Sequence, residues 1–259
     1  MNLQQKLDAI VEKNNSLLCV GLDPVEEKLS GQSFFEFNKS IIDVTHDLVC
    51  AYKPNSAFYE ALGDRGVKEL KMTCDYLREN HPEIPIIIDA KRADIGNTNE
   101  GYAKYIFDYL QADGVTLQPY LGKEAIQPFL DKIDKGIIIL CRTSNPGAGE
   151  FQDLQINGEP LYMHVAKNVV EKWNTNNNCM LVVGATYPEE LKQIRNVVGN
   201  MNLLVPGIGT QGGDIEKSLQ AGMTKDKKGI LLSTSRTVIF AQNPREEALK
   251  LRDEINTYR

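Results

Sequence analysis

Short β-branched runs alternate with longer amphipathic stretches from one end of this 259-residue chain to the other. The apolar runs Leu17–Leu22, Leu48–Lys53, Ile84–Ala90, Gly114–Leu117, Gly136–Cys141, Cys179–Val183, Leu203–Val205 and Gly229–Leu232 read as strands. Helical periodicity falls between and after them, over residues 33–47, 64–80, 97–109, 122–131, 160–174, 187–198, 213–221 and 245–257. That rhythm implies parallel strands joined by helical crossovers. Eight β-then-α units fit a (β/α)8 TIM barrel better than a doubly wound open sheet, whose usual count is about five or six strands. No linker, low-complexity tract or charge block interrupts the pattern, so residues 1–259 read as one barrel domain. The segment from Thr143 to Glu159 carries Asn-Pro-Gly and Asn-Gly turn signals and is too long for a mere connector. Long loops in compact domains are usually functional.

Composition narrows the class. Five cysteines, Cys19, Cys50, Cys74, Cys141 and Cys179, lack C-x-x-C spacing, and several lie in apolar runs where a thiol acts as a small core residue. This points to a reducing compartment. The start, Met1-Asn2-Leu3-Gln4-Gln5-Lys6, lacks the pattern of a signal peptide, and no apolar run approaches a membrane span, so a cytoplasmic protein is expected. A net charge of −6 argues against a nucleic-acid footprint. An anionic ligand must then be held by local positive groups.

The hexapeptide Asp89-Ala90-Lys91-Arg92-Ala93-Asp94 puts charge where a buried strand should end. On a regular strand, Asp89 and Lys91 point the same way, with Cα atoms roughly 6 to 7 Å apart. Taken alone, D-x-K is most simply a solvated salt bridge. Other strand ends change that reading: Gly21-Leu22-Asp23-Pro24, Tyr52-Lys53-Pro54-Asn55, Arg142-Thr143-Ser144-Asn145, Pro206-Gly207 and Ser233-Thr234-Ser235-Arg236 would all converge on the carboxyl rim, where barrels carry their chemistry. The run Gly207-Ile208-Gly209-Thr210-Gln211-Gly212 spells G-x-G-x-x-G, but too little chain follows for a dinucleotide-binding unit. It reads instead as a phosphate loop after strand seven, with Arg236 after strand eight as a bidentate clamp.

The run Asp89 to Thr98, in the form D-A-K-R-x-D-I-G-x-T, resembles the D-x-K-x-x-D signature of the orotidine 5′-phosphate decarboxylase family. Cys19 to Pro24, Lys53-Pro54-Asn55, Thr143 to Gly147, Pro206 to Gly213 and Ser233 to Arg236 resemble that family's remaining motifs in the same order. The resemblance implies cofactor-free conversion of orotidine 5′-phosphate to UMP and CO2 in pyrimidine synthesis. It implies a charge array of Lys53, Asp89, Lys91 and Asp94, with Lys91 protonating C6 as CO2 leaves and Lys53 orienting Asp89. Asp94 and the segment Ile95 to Thr98 would reach the neighbouring subunit's site in a homodimer. Asp23 would bind a ribose hydroxyl, Ser144 rather than Thr143 the pyrimidine amide edge, and Gln211 with Arg236 the phosphate; Pro206 and Ser235 complete the implied substrate-binding set.

Other readings compete. A Schiff-base aldolase needs a neutral lysine, which carboxylates at Asp89 and Asp94 disfavour. A Mg2+-dependent hexulose-phosphate synthase uses the same D-x-K-x-x-D barrel, but His46, His81 and His164 do not fall at metal-ligand spacing on strand ends. A silent phosphate-binding protein on an inherited barrel would not need Lys91 and Asp89 together.

Overall fold

In a computed structural model, which describes residues 1–208 and 213–259, eight parallel strands form one sheet. They are β1 (Leu18–Val20), β2 (Ala51–Tyr52), β3 (Ile87–Arg92), β4 (Gly114–Leu117), β5 (Gly136–Arg142), β6 (Cys179–Val183), β7 (Leu203–Pro206) and β8 (Ile230–Thr234). Their order is β2-β1-β8-β7-β6-β5-β4-β3. The two ends of that order meet: Tyr52 pairs with Ile86 and Asn55 with Asp89, and the Asp89 N–H donates to the Pro54 carbonyl at 3.0 Å. The sheet thus closes into a (β/α)8 barrel, whose ring of hydrogen bonds leaves no free strand edge. Residues of β4, β6 and β8 are buried throughout, as expected for parallel strands covered on both faces.

Every expected strand and crossover helix is present, with ends shifted by at most three residues. Two helices finish as π-helical stretches, Lys104–Tyr109 after Gly96–Ala103 and Val169–Trp173 after Leu161–Asn168. The long segment after β5 is built rather than extended. It contains a 3-10 turn at Pro146–Ala148, a helical turn at Gly149–Gln152, and a hairpin pairing Gln155–Ile156 with Glu159–Pro160. Asn157 and Gly158 both have positive φ, the backbone that an Asn-Gly hairpin turn requires.

Beyond short turns at Glu26–Lys28, Ser56–Glu60 and Arg236–Ile239, the amino-terminal helix Leu3–Asn14 was not anticipated. Its signal was present: Asn2 and Gln5 form a reciprocal capping box, and Leu3, Leu7, Ile10 and Val11 share a buried face. The helix closes the amino end of the barrel. Leu3 sits so close to the start of β5 that a Cβ on Gly136 would stand 1.9 Å from Leu3 Cδ2 and would displace that side chain.

Candidate active site

At the carboxyl end, β3 departs from a regular strand. Ile88 pairs with Val115 and Arg92 with Leu117, so four steps along β3 match two along β4. Within this bulge Lys91 has φ +47°, a left-handed conformation that costs a non-glycine residue about 1 to 3 kcal/mol. Asp89 and Lys91 do converge, but through the bulge and not through the regular alternation expected from sequence. Lys91 Nζ lies 2.6 Å from Asp89 Oδ1, and Lys53 Nζ donates to Asp89 Oδ2 at 2.9 Å. Burial alone would push the Asp89 carboxyl up. The ammonium groups of Lys53 and Lys91 outweigh it and hold that carboxyl well below the usual carboxylate range. Burial likewise opposes charge on Lys53, yet Asp89 and Asp23 keep its ammonium well above the usual lysine range.

The three side chains differ in access. Lys53 and Asp89 are 8% and 12% exposed, whereas Lys91 is 48% exposed and projects into the opening. Asp23, after β1, accepts from the Asn55 N–H at 3.0 Å and is thereby tied to the end of β2. A Cβ at Gly21 would meet Ser235 Cβ at 2.7 Å, so the bare backbone lets β1 and the turn after β8 approach. Ser235 Oγ donates to the Gly21 carbonyl at 3.2 Å.

All these groups line a cavity of about 590 Å³ at the carboxyl mouth of the barrel. Its other walls include Ser144, Pro206 and Arg236. Arg236 is exposed and makes no ion pair with the described residues, which leaves its guanidinium available to an anion. The loop after β5 is held by buried Arg142, which pairs with Asp153 at 3.0 Å and lies 4.1 Å over the Tyr187 ring. Gln152 closes the same loop by donating to Thr143 Oγ1 and accepting from Thr143 N–H, each at 2.8 Å. Thr143 Oγ1 also donates to Asn145 Oδ1 at 2.6 Å, so its hydroxyl is committed within the loop.

A model of the orotidine 5′-phosphate decarboxylase / HUMPS family matches residues 16–251. The chain belongs to that family. An orotidine 5′-phosphate decarboxylase from Janthinobacterium sp. (strain Marseille) is 47% identical over 271 residues, covering 100% of this chain and 99% of the relative. One from Cellvibrio japonicus is 47% identical over 274 residues and covers 100% of both. The solved structure of Leishmania donovani OMP decarboxylase superposes with a TM-score of 0.91 at 38% identity, covering 100% of this chain and 99% of that one. Leishmania donovani UMP synthase gives 0.93 at 39% identity; all of this chain matches 56% of that longer one.

Of the family residues expected from the sequence, Asp23, Lys53, Asp89, Lys91, Ser144, Pro206, Ser235 and Arg236 line the one cavity. Asp94, Ile95 and Thr98 do not. Among the described residues Asp94 takes no part in an ion pair and its carboxylate accepts only from the Ile95 N–H, and Ile95 stands 60% exposed on the outer rim. Gln211 lies outside the described residues. Sequence reasoning passed over Thr116 and Gln152, which also line the cavity. Thr116 is the single polar side chain of β4 and stands next to its carboxyl end, which was the available signal. Gln152 carried none, because only the folding of the loop brings it back onto Thr143.

No helix among the described residues is long and apolar enough to cross a membrane.

Proposed function

We propose that the chain removes CO2 from C6 of orotidine 5′-phosphate to give UMP, using side chains alone. The observation that carries this reading is the triad in which Asp89 bridges Lys53 and half-exposed Lys91 at the mouth of a nucleotide-sized cavity. The C6–carboxylate bond breaks, its electron pair stays on C6, and the Lys91 ammonium transfers a proton to that carbon. The resulting amine is reprotonated by solvent. A vinylic carbanion has no electron sink in the ring, so a preorganised ammonium beside C6 is the stabilisation the reaction needs. At an effective dielectric near 20, one charge pair at 4 Å contributes about 4 kcal/mol, whereas enzymatic accelerations require roughly 8 to 23 kcal/mol. The remainder is assigned to binding of ribose and phosphate, whose interaction energy holds the reacting carbon against Lys91 and excludes water.

In this reading Lys53 fixes Asp89, Asp23 takes a ribose hydroxyl, and Arg236 takes the phosphate with Gln211, while Pro206 and Ser235 border the substrate. Ser144, on the cavity wall, takes the pyrimidine amide edge. Asp94, Ile95 and Thr98 serve the site of a second copy in a homodimer; their position on the outer rim, away from the cavity of their own chain, supports this. The metal-dependent alternative within the family is disfavoured because both Asp89 oxygens are already engaged by cations. Residues 1–259 act as one catalytic domain, with the cytoplasm as its compartment; five buried, unpaired cysteines accord with reducing surroundings.

The test is absorbance-monitored turnover of orotidine 5′-phosphate by purified protein in excess chelator. Conversion supports the substrate and metal independence together. No conversion with or without added Mg2+ overturns the assignment.

A further inference from the structure

Thr116 sits in the middle of the charged wall, at the margin of the cavity and almost wholly buried. It is 1% exposed and flanked in β4 by Val115 and Leu117, both fully buried. Its Oγ1 donates to Asp89 Oδ1 at 2.8 Å and accepts from the backbone N–H of Lys91 at 3.0 Å. A hydroxyl has one proton to give, and here it goes to the carboxylate while the lone pairs face the amide, so both capacities are used. One side chain is thereby bonded to the anion of the triad and to the backbone of its projecting cation.

The second bond falls at a telling place. Lys91 is the residue with φ +47° inside the β3 bulge, where the regular ladder to β4 is interrupted between Ile88 and Arg92. The Lys91 N–H has left the ladder, and Thr116 Oγ1 stands in for the lost carbonyl. Without it that amide would be an unsatisfied donor in a partly buried wall, and the left-handed backbone would lose the bond that holds it. Asp89 Oδ1 also accepts from Lys91 Nζ at 2.6 Å, so the hydroxyl helps to fix the oxygen on which the ammonium rests.

We infer that Thr116 is a positioning residue: by bridging the Asp89 carboxylate and the Lys91 amide it holds the strained bulge that aims the Lys91 ammonium into the cavity. The inference rests on the proposed decarboxylation, and the experiment separates the two. Thr116→Val keeps the shape and removes both hydrogen bonds, whereas Thr116→Ser keeps the hydroxyl and removes a methyl group. With orotidine 5′-phosphate as substrate, Thr116→Val should lower kcat about ten- to a hundredfold with little change in KM, the size expected for losing a bond to a charged group. Thr116→Ser should recover most of it. In parallel, hydrogen exchange at the Lys91 amide, read by NMR, should be slow in the wild type and in Thr116→Ser and faster in Thr116→Val. Wild-type kcat and Lys91 protection in Thr116→Val would overturn the inference. A loss shared equally by Thr116→Val and Thr116→Ser would also overturn it, since packing rather than the hydroxyl would then be responsible. If the wild type fails to turn over the substrate, the decarboxylase reading falls, and the amide exchange still decides whether Thr116 holds the bulge.

Discussion

The two ends of the barrel both bury charge, and they do so to opposite effect. At the amino end Asp113 accepts from Lys6 at 2.9 Å, from Arg78, and from the Ile86 N–H at 2.8 Å. At the same end, Arg195 donates to the carbonyls of Gly199, Met201, Gly222 and Gly229 at 2.5 to 2.8 Å, tying the ends of two helices to the starts of β7 and β8. Burial without a carboxylate partner lowers its pKa to about 10. These donors and acceptors are spent within the protein, and the cavity beside Leu3 is only about 10 Å³. At the carboxyl end the triad of Lys53, Asp89 and Lys91 is equally well bonded, but one of its cations projects from a left-handed residue into about 590 Å³ of open space. A buried ion network by itself therefore signals fold maintenance. A network with a strained residue and an adjoining cavity signals chemistry.

This contrast is sharpest at Lys91. Lys91→Ala is expected to reduce kcat by at least about a hundred- to a thousandfold, because it removes charge that acts on the developing carbanion, while UMP binding stays measurable. Single-turnover assays and titration with UMP check both halves; near-normal turnover would place the chemistry elsewhere. In the same cavity, Arg236→Ala should raise KM for the nucleotide about ten- to a hundredfold with a smaller loss of kcat. Comparison with the unphosphorylated nucleoside decides the matter. If both substrates lose activity equally, Arg236 is not the phosphate contact.

The carboxyl end is also proposed to be completed by a second chain, which the closed amino end has no need of. Co-refolding inactive Lys91→Ala with inactive Asp94→Ala should restore roughly a quarter of wild-type activity, since half the dimers are mixed and half of their sites are intact. Absence of recovery despite demonstrated subunit exchange means that each chain serves itself. The mildest effect on catalysis belongs to the amino end. Arg195→Met should lower Tm by roughly 5 to 15 °C, through about 2 to 4 kcal/mol lost as four carbonyls lose a charged donor, yet leave kcat per folded molecule unchanged. A selective fall in kcat would mean that the two ends are coupled.

The sequence by itself determined the barrel and pointed to many of the residues that line its cavity. Eight apolar runs interleaved with helical periodicity permit few other architectures, because each strand must be covered on both faces and each crossover must return the chain in the same direction. The order of polar residues at strand ends then led to Asp23, Lys53, Asp89, Lys91 and Arg236, since parallel strands deliver all their carboxyl ends to one rim. Three features were decided only by tertiary structure. The β3 bulge depends on β4 offering Thr116 in place of a ladder carbonyl, a contact between residues 25 apart that no local period encodes. Gln152 meets Thr143 across a loop that the Arg142–Asp153 pair also closes. The helix Leu3–Asn14 acquires its place from packing under β4 and β5, where Leu3 fills the space that glycines at 114 and 136 leave open. Periodicity reports which face of an element is apolar; it says nothing about which partner meets that face, and the meeting is what turns a run of charges into an aimed ammonium.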